Sequence, residues 1–211
     1  MKPVRLWPAT ILALLLAALA PATVAAQAPV DGRDYVRIEG GEPWQPLDGR
    51  IEVVEIFAYA CSVCDRFEPM LKAWERSQPD DVRVTRLPAT YSARDAFATA
   101  FFAAEAIGEL DAVHAATFDA LHRRGILARN ATHAEIAAFY ASLGVDRSRF
   151  AAAMQAPETA RKLEAAHRFL RASGAEGTPT LVVNGKYRVL GRTLGEMLEI
   201  AEQLVELERA P

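Results

Sequence analysis

The chain has 211 residues, of which 51% are hydrophobic and 24% are charged, and its formal net charge at pH 7 is -3. That length and apolar content can build a core without disulfide support, in one domain or in a domain that carries an insertion. The slightly acidic balance argues against nucleic-acid binding, and we find no internal repeat.

The N-terminal segment has the pattern of a cleaved secretory signal. Lys2 and Arg5 are positive, an apolar stretch follows over 11–20, and small residues lead up to Ala26. The stretch is well short of the roughly 20 residues that cross a bilayer as a helix, so a retained membrane anchor is the weaker alternative. We predict cleavage after Ala26 rather than Ala28, and export to a compartment where disulfides persist.

A polar, proline-containing lead-in precedes the first confident strand, which the apolar run over 51–58 predicts. The following sequence predicts a helix from about Ser62 to Ser77, kinked at Pro69. Alternating residues over 82–87 predict a second strand. A strand, helix, strand unit implies parallel strands, with the reactive group beyond the carboxyl end of the first strand. Four residues should form the inner face of the helix: Phe67, Met70, Leu71 and Trp74.

From residue 93 the sequence becomes alanine-rich and amphipathic, with breaks that predict four or five consecutive helices up to residue 173. Thr132 and Glu135 predict a capping box for one of them. The predicted apolar stripe of that helix is Ile136, Phe139, Tyr140 and Leu143.

The strand pattern returns over 180–190, where Asn184 and Gly185 predict a hairpin turn. A final helix follows, and Thr193 with Glu196 predicts a second capping box at its start. Its predicted buried face is Leu194, Met197, Leu198, Ala201, Leu204 and Val205.

The only two cysteines, Cys61 and Cys64, come directly after the first predicted strand, at the start of a helix. Two intervening residues bring both sulfurs within disulfide reach. At a helix start the first thiolate faces unpaired N–H groups and the positive end of the helix dipole, which lower its pKa. A stabilising disulfide is the simpler alternative, but so small a loop removes little chain entropy. The spacing therefore favours thiol redox chemistry.

Metal binding is an alternative from another class, in which the two cysteines hold a soft ion without turnover. A zinc site needs about four ligands, and no second cysteine or histidine pair is visible. We therefore predict no metal role for the four histidines, which are scattered over helical sequence: His114, His122, His133 and His167.

The segment from Phe57 to Cys64, taken with 177–180 before the hairpin, resembles the DsbA family of thiol:disulfide interchange proteins. The similarity extends over nearly the whole mature chain, including Phe67-Glu68 and 183–187. It implies an α/β thioredoxin fold with an inserted all-helical domain. The implied organisation is a signal peptide over 1–26, a thioredoxin-like domain over 27–92 and 174–211, and a helical insertion over 93–173.

The resemblance also implies roles for individual residues. Cys61 would be the nucleophilic, solvent-facing cysteine and Cys64 its buried partner. Thr178-Pro179 matches the cis-proline loop, which lies beside the reactive pair and offers backbone groups to an extended substrate. The redox-active disulfide would be the only reactive group, with no further cofactor and no metal.

Val63 departs from the family pattern, which commonly has histidine at this position. The valine side chain offers neither charge nor hydrogen bond, so we predict a higher Cys61 pKa and a less oxidising disulfide than in members with Pro-His between the cysteines. Ser62 either contributes a hydroxyl to the site or only caps the helix.

Glu55 is a lone carboxylate in an otherwise apolar strand, and Arg86 in the neighbouring strand is a natural partner. The family places an acid and a base at these positions beneath the active site. A proton-handling role, a structural ion pair and an exposed Glu55 all remain open.

The function implied by the resemblance is that of a periplasmic oxidase. It would donate the Cys61–Cys64 disulfide to reduced exported polypeptides, and a membrane quinone-linked oxidase of the DsbB type would re-oxidise it. We expect a monomer and no nucleic-acid partner. A periplasmic reductase or isomerase is the alternative, because Thr178 before the proline is the residue type found in several such enzymes.

Overall fold

The computed structural model describes residues 28–90 and 95–210, and the predicted signal segment, residues 1–26, lies outside them. Within the described residues no helix combines the length and the apolar character needed to cross a membrane.

The elements follow the predicted order of strand, helix, strand, helical insertion, hairpin and helix, with one additional strand at the start. Their bounds are β1 (Tyr35–Arg37), β2 (Ile51–Phe57), α1 (Ser62–Ser77), β3 (Val82–Pro88), α2 (Ala96–Ala106), α3 (Leu110–His122), α4 (His133–Ser142), α5 (Arg147–Gln155), α6 (Pro157–Ala172), β4 (Thr180–Val183), β5 (Tyr187–Val189) and α7 (Leu194–Arg209).

The strands form one sheet in the order β1-β5-β4-β2-β3. The pair β2 and β3 is parallel, as the strand, helix, strand unit predicts, and the other pairs are antiparallel. Strand β1 was not predicted, because three residues are too few to show an alternating pattern. Its pairing with β5 joins Tyr35 to Val189 and Arg37 to Tyr187, so β1 depends on long-range contacts.

Alternate residues of β2 belong to two hydrophobic clusters. Val54 and Ile56 pack with the helices of the insertion, whereas Ile51 and Val53 pack with α1 and α7. Every residue of β2 is buried. The strand that leads to the cysteines is therefore fixed from both faces of the sheet.

A buried carboxylate of β2 binds the backbone of the segment that precedes this strand. Glu52 is fully buried, and its Oε2 accepts hydrogen bonds from the backbone N–H groups of Trp44, at 2.7 Å, and Gln45, at 3.2 Å. Its Oε1 accepts from Arg83 at 2.9 Å and from Thr85 at 3.2 Å. No role was predicted for Glu52 from the sequence, but these contacts satisfy both of its carboxylate oxygens.

The capping box of α4 is confirmed, because Thr132 and Glu135 make both reciprocal hydrogen bonds. The second predicted box is only half formed. Thr193 accepts from the backbone of Glu196, but the Glu196 carboxylate accepts from the N–H of Arg192 instead of that of Thr193.

Two of the predicted buried positions are wrong. Phe67 and Leu71 of α1 are fully buried, but Met70 is 37% exposed, because the buried face of the helix is narrow at this point. Leu143 is 38% exposed because α4 ends at Ser142, which leaves Leu143 beyond its last turn.

Candidate active site

The first cysteine occupies the cap position of α1. Cys61 has an extended backbone, with φ -83° and ψ 115°, and its Sγ accepts a hydrogen bond from the N–H of Cys64 at 3.4 Å. Sulfur thus takes the position that a serine or aspartate oxygen occupies at most helix starts. A negative charge on this sulfur would face the N–H groups that have no partner within the helix.

A distant segment completes the surroundings of Cys61. The antiparallel pairing of β2 with β4 places the residues before Thr180 beside the loop that follows Phe57. The Cys61 thiol donates to the carbonyl oxygen of Thr178 at 3.3 Å, and the Thr178–Pro179 peptide bond is cis. The two segments of the predicted site therefore meet in the fold.

The two thiols differ sharply in their environment. Both are free, with Cys61 partly exposed and Cys64 buried. Partial burial raises the pKa of Cys61, but hydrogen bonding with the side chain of Thr178 and with the backbone N–H groups of Cys64 and Val63 outweighs it and holds the pKa below its ordinary value. Burial raises the pKa of Cys64 far above its ordinary value. Cys61 is the thiol that ionises first.

The two residues between the cysteines contribute little through their side chains. Ser62 is exposed, and only its carbonyl oxygen is engaged, by Arg66 at 3.2 Å. The predicted capping role of Ser62 is wrong, because Cys61 holds the cap position and Ser62 is the first residue of the helix. Val63 is partly buried, and its contribution to Cys61 comes from its backbone N–H.

Of the three alternatives for Glu55, the ion pair with Arg86 does not form. The two residues are directly opposite in the parallel β2–β3 pair. The Arg86 guanidinium instead contacts Glu68, at 3.3 Å, and Glu75, at 2.7 Å, both on α1. Those carboxylates are more accessible to solvent, so pairing with them costs Arg86 less desolvation than pairing beneath the sheet surface.

Glu55 is buried and forms no ion pair with any of the described residues. It is 1% exposed, which also excludes the exposed alternative, and its Oε1 has no hydrogen-bond partner among the described residues. Burial raises the pKa of Glu55 to about 8, with the negative charge of Glu68 adding to the rise and Arg86 opposing it. A carboxyl group that is protonated at neutral pH therefore lies in the strand that leads to the cysteines.

Two histidines of α3 bind the tyrosine that precedes the cysteine pair. Nδ1 of His114 lies 2.7 Å from the hydroxyl oxygen of Tyr59, and Nε2 of His122 lies 2.7 Å from the Tyr59 carbonyl oxygen. Nε2 of His114 lies 3.6 Å from Glu68. Sequence reasoning missed these contacts, because nothing in the spacing of Tyr59 and the histidines indicates them.

His114 and Glu68 also line a groove between α1 and α3. The groove has a volume of about 710 Å³, and its wall includes Glu68, Arg86 and His114. Within the described residues, no three histidine, cysteine or acidic side chains are grouped so that they could hold a metal ion.

Comparison with known proteins gives a consistent result. The family model of the DSBA-like thioredoxin domain matches residues 84–201, a span that begins after the cysteine pair. The thiol:disulfide interchange protein DsbA of Azotobacter vinelandii is 39% identical over 184 residues, which cover 85% of this chain and 84% of that protein. DsbA of Pseudomonas aeruginosa is 37% identical over 207 residues, which cover 95% of this chain and 96% of that protein.

Solved structures agree with these relatives. The crystal structure of the oxidoreductase DsbA from Xylella fastidiosa matches with a TM-score of 0.84 and 42% identity, covering 88% of this chain and 100% of that chain. The crystal structure of Pseudomonas aeruginosa DsbA matches with a TM-score of 0.76 and 36% identity, covering 84% and 93%.

The predicted α/β thioredoxin fold with a helical insertion is confirmed, and the protein is a thiol:disulfide oxidoreductase. More narrowly, the chain belongs to the DsbA-like family.

Proposed function

We propose that the protein donates a Cys61–Cys64 disulfide to reduced polypeptides exported to the periplasm. The observation that carries this direction of transfer is the asymmetry of the two thiols, one accessible with a lowered pKa and one buried with a raised pKa. Interactions that stabilise the Cys61 thiolate stabilise the reduced protein, and this makes its disulfide a stronger oxidant. No cofactor beyond the disulfide is needed.

The exchange proceeds in two steps. A substrate thiolate attacks Sγ of Cys61, the Cys61–Cys64 bond breaks, and Cys64 leaves with the electron pair and takes up a proton. The second substrate thiolate then attacks the substrate sulfur of the mixed disulfide, and Cys61 leaves as a thiolate. Two electrons pass from the substrate to the protein. Because Cys64 is buried, only Cys61 is open to the first attack.

Neighbouring groups support these steps. Glu55 is protonated at neutral pH and close enough to influence the pKa of Cys64, so it is suited to give Cys64 its proton. The carbonyl of Thr178, next to the cis bond of Pro179, offers a hydrogen-bond acceptor to an extended substrate beside Cys61.

The predicted signal segment and the family support a proposal for the compartment and the redox partner. We propose a periplasmic monomer with no nucleic-acid partner, whose disulfide is restored by a membrane quinone-linked oxidase of the DsbB type. This partner would accept the two electrons that each substrate disulfide leaves on the cysteine pair.

The reduction potential of the cysteine pair tests the direction of transfer. The protein would be equilibrated in glutathione buffers of graded potential, and its free thiols counted. Reference couples in other proteins run from about -270 mV for thioredoxin to about -120 mV for a strongly oxidising DsbA. We expect a value in the oxidising half of that range. A value near that of thioredoxin would contradict disulfide donation and favour the reductase alternative. The threonine before Pro179 is the sequence feature that supports that alternative.

A histidine in place of Val63 should make the disulfide more oxidising. In Val63→His, a protonated ring beside the Cys61 thiolate would lower the thiol pKa and stabilise the reduced form. We expect a potential higher by about 30 mV or more, which is tenfold in the equilibrium constant. Titration of the thiolate absorbance and the same glutathione buffers measure both effects.

Val63→Gln is the matched control, because it adds a polar group without a charge. It should change the potential less than Val63→His does. An unchanged potential in Val63→His would show that the side chain at this position does not reach the Cys61 sulfur.

A further inference from the structure

Arg86 is turned away from the residue that the sheet places opposite it. The parallel register pairs Arg86 with Glu55, but its Nη1 donates to Glu75 at 2.7 Å, and its Nε and Nη2 donate to the two oxygens of Glu68 at 3.3 Å each. The structure gives no Arg86 hydrogen bond to Glu55. The strand register thus places a possible counter-ion opposite Glu55, but that cation pairs with two carboxylates of α1 instead.

Glu68 is held in its place from two sides. Arg86 contacts both of its carboxylate oxygens, and Nε2 of His114 lies 3.6 Å from Oε2. His114 is oriented by the Tyr59 hydroxyl at 2.7 Å and packs edge-on against Phe57. Burial raises the pKa of Glu68, but His114 and Arg86 outweigh it and keep the pKa below its ordinary value. Glu68 is therefore an anion at neutral pH.

We propose that Glu68 is a positioning residue for disulfide exchange. It holds the Arg86 guanidinium at the groove, adds its own negative charge near Glu55, and so keeps Glu55 protonated beside the cysteine pair. This inference rests on the proposed role of Glu55 as the proton source for Cys64.

The charged groups around Glu55 agree with this arrangement. From α1 the negative charge of Glu68, and more weakly that of Glu75, disfavours ionisation of Glu55, as does the Cys61 thiolate. From β3 the charge of Arg86 favours ionisation. On β4 the residue opposite Glu55, Leu181, is apolar, and His114 of α3 lies beside Glu68, with 3.6 Å between Nε2 and Oε2. Burial is therefore the largest cause of the raised pKa of Glu55, and the balance between the Glu68 anion and the Arg86 cation adjusts it further.

The test is the pKa of Glu55, measured by carbon NMR of labelled glutamate side chains in the full protein, with Glu55→Gln to assign the signal. In Glu68→Gln we expect this pKa to fall by about one pH unit or more, because a neighbouring anion is lost and Arg86 is freed. Glu75→Gln is the matched control, and since Glu75 is the weaker influence its effect should be smaller.

In Arg86→Gln the pKa of Glu55 should rise instead of falling, because this substitution removes the cation that favours ionisation of Glu55. This variant also keeps the proposal testable if Glu68→Gln fails to fold. An unchanged or raised pKa in Glu68→Gln, an equal fall in Glu75→Gln, or a lowered pKa in Arg86→Gln would each overturn the proposal.

The pKa of Glu55 is measured without an enzyme assay, so it tests the role of Glu68 separately from disulfide donation. If the wild-type potential lies near that of thioredoxin but the predicted order of pKa values is found, disulfide donation is wrong and the role of Glu68 in setting the charge of Glu55 stands. If the potential is oxidising but the Glu55 pKa does not respond to Glu68, the function stands and the positioning role is wrong.

Discussion

Replacing Cys61 with serine should reduce disulfide exchange to the rate of the uncatalysed reaction. Cys61 is the partly exposed sulfur with the lowered pKa, so it is the atom that substrate thiolates reach and the one that leaves as a thiolate. A serine hydroxyl cannot form or release a disulfide. The measurement is oxidative refolding of a reduced test protein, followed by its recovered activity.

Cys64→Ser should behave differently. Without the buried thiol no Cys61–Cys64 disulfide can form. A Cys61 thiolate that attacks the disulfide of an oxidised test protein, releasing one substrate thiolate, should therefore remain in a mixed disulfide, because Cys64 is absent and cannot displace the substrate sulfur. Non-reducing electrophoresis and mass spectrometry detect this species. Ser62→Ala is the matched control, because its hydroxyl is exposed, and it should keep wild-type turnover. Turnover in Cys61→Ser, or a mixed disulfide formed through Cys64 in the wild type, would contradict the assignment of the two sulfurs.

Replacing Glu55 with glutamine should make stability much less dependent on pH. Burial raises the pKa of Glu55 from 4.5 to about 8, so the folded protein holds this proton more tightly than the unfolded chain. Its contribution is fully present below the ordinary pKa and is lost as the pH rises towards about 8. At about 1.4 kcal/mol per pH unit, the loss is at most about 5 kcal/mol.

Urea unfolding of the oxidised protein between about pH 4 and pH 9 measures this effect. The free energy of unfolding of Glu55→Gln, relative to wild type, should rise with pH over that interval. The informative quantity is the slope of this free-energy difference against pH. A buried amide without partners also costs about 1–3 kcal/mol, but it does so at every pH and leaves the slope unchanged.

Glu135→Gln should show the opposite trend. Hydrogen bonds from Thr132 lower the pKa of Glu135, so its contribution is present above the ordinary pKa and is lost as the pH falls. A difference between Glu55→Gln and wild type that stays constant from acid to alkaline pH would show that folding does not raise the pKa of Glu55.

Local patterns were sufficient to predict most of the fold. Helix α1 has the predicted bounds, and the turn at Asn184-Gly185 and the capping box at Thr132 are as expected, because each depends on neighbouring residues. Strand β1 and the exposure of Met70 depend on what packs against each segment. Periodicity does not contain that information.

The residues of the site likewise fall into those that could be predicted from the sequence and those that could not. The cysteine pair and the segment at Thr178 were found from the sequence because motifs mark them, and the fold brings them together. The partner of Arg86 was assigned wrongly because strand register does not determine where a long side chain ends. Glu68 and the histidines that bind Tyr59 lie on helices whose association is set by tertiary packing.

The hydrogen bond from Cys61 to Thr178 spans 117 positions of the chain. A chain is synthesised from its N-terminus, so both cysteines emerge long before β4 exists to pair with β2. Until then Cys61 lacks its acceptor, and Cys64 lacks the core that buries it. The newly made chain therefore carries two thiols that lack these long-range contacts, and the difference between them is smaller than in the folded protein. They acquire their different reactivities only when nearly all of the protein has been made.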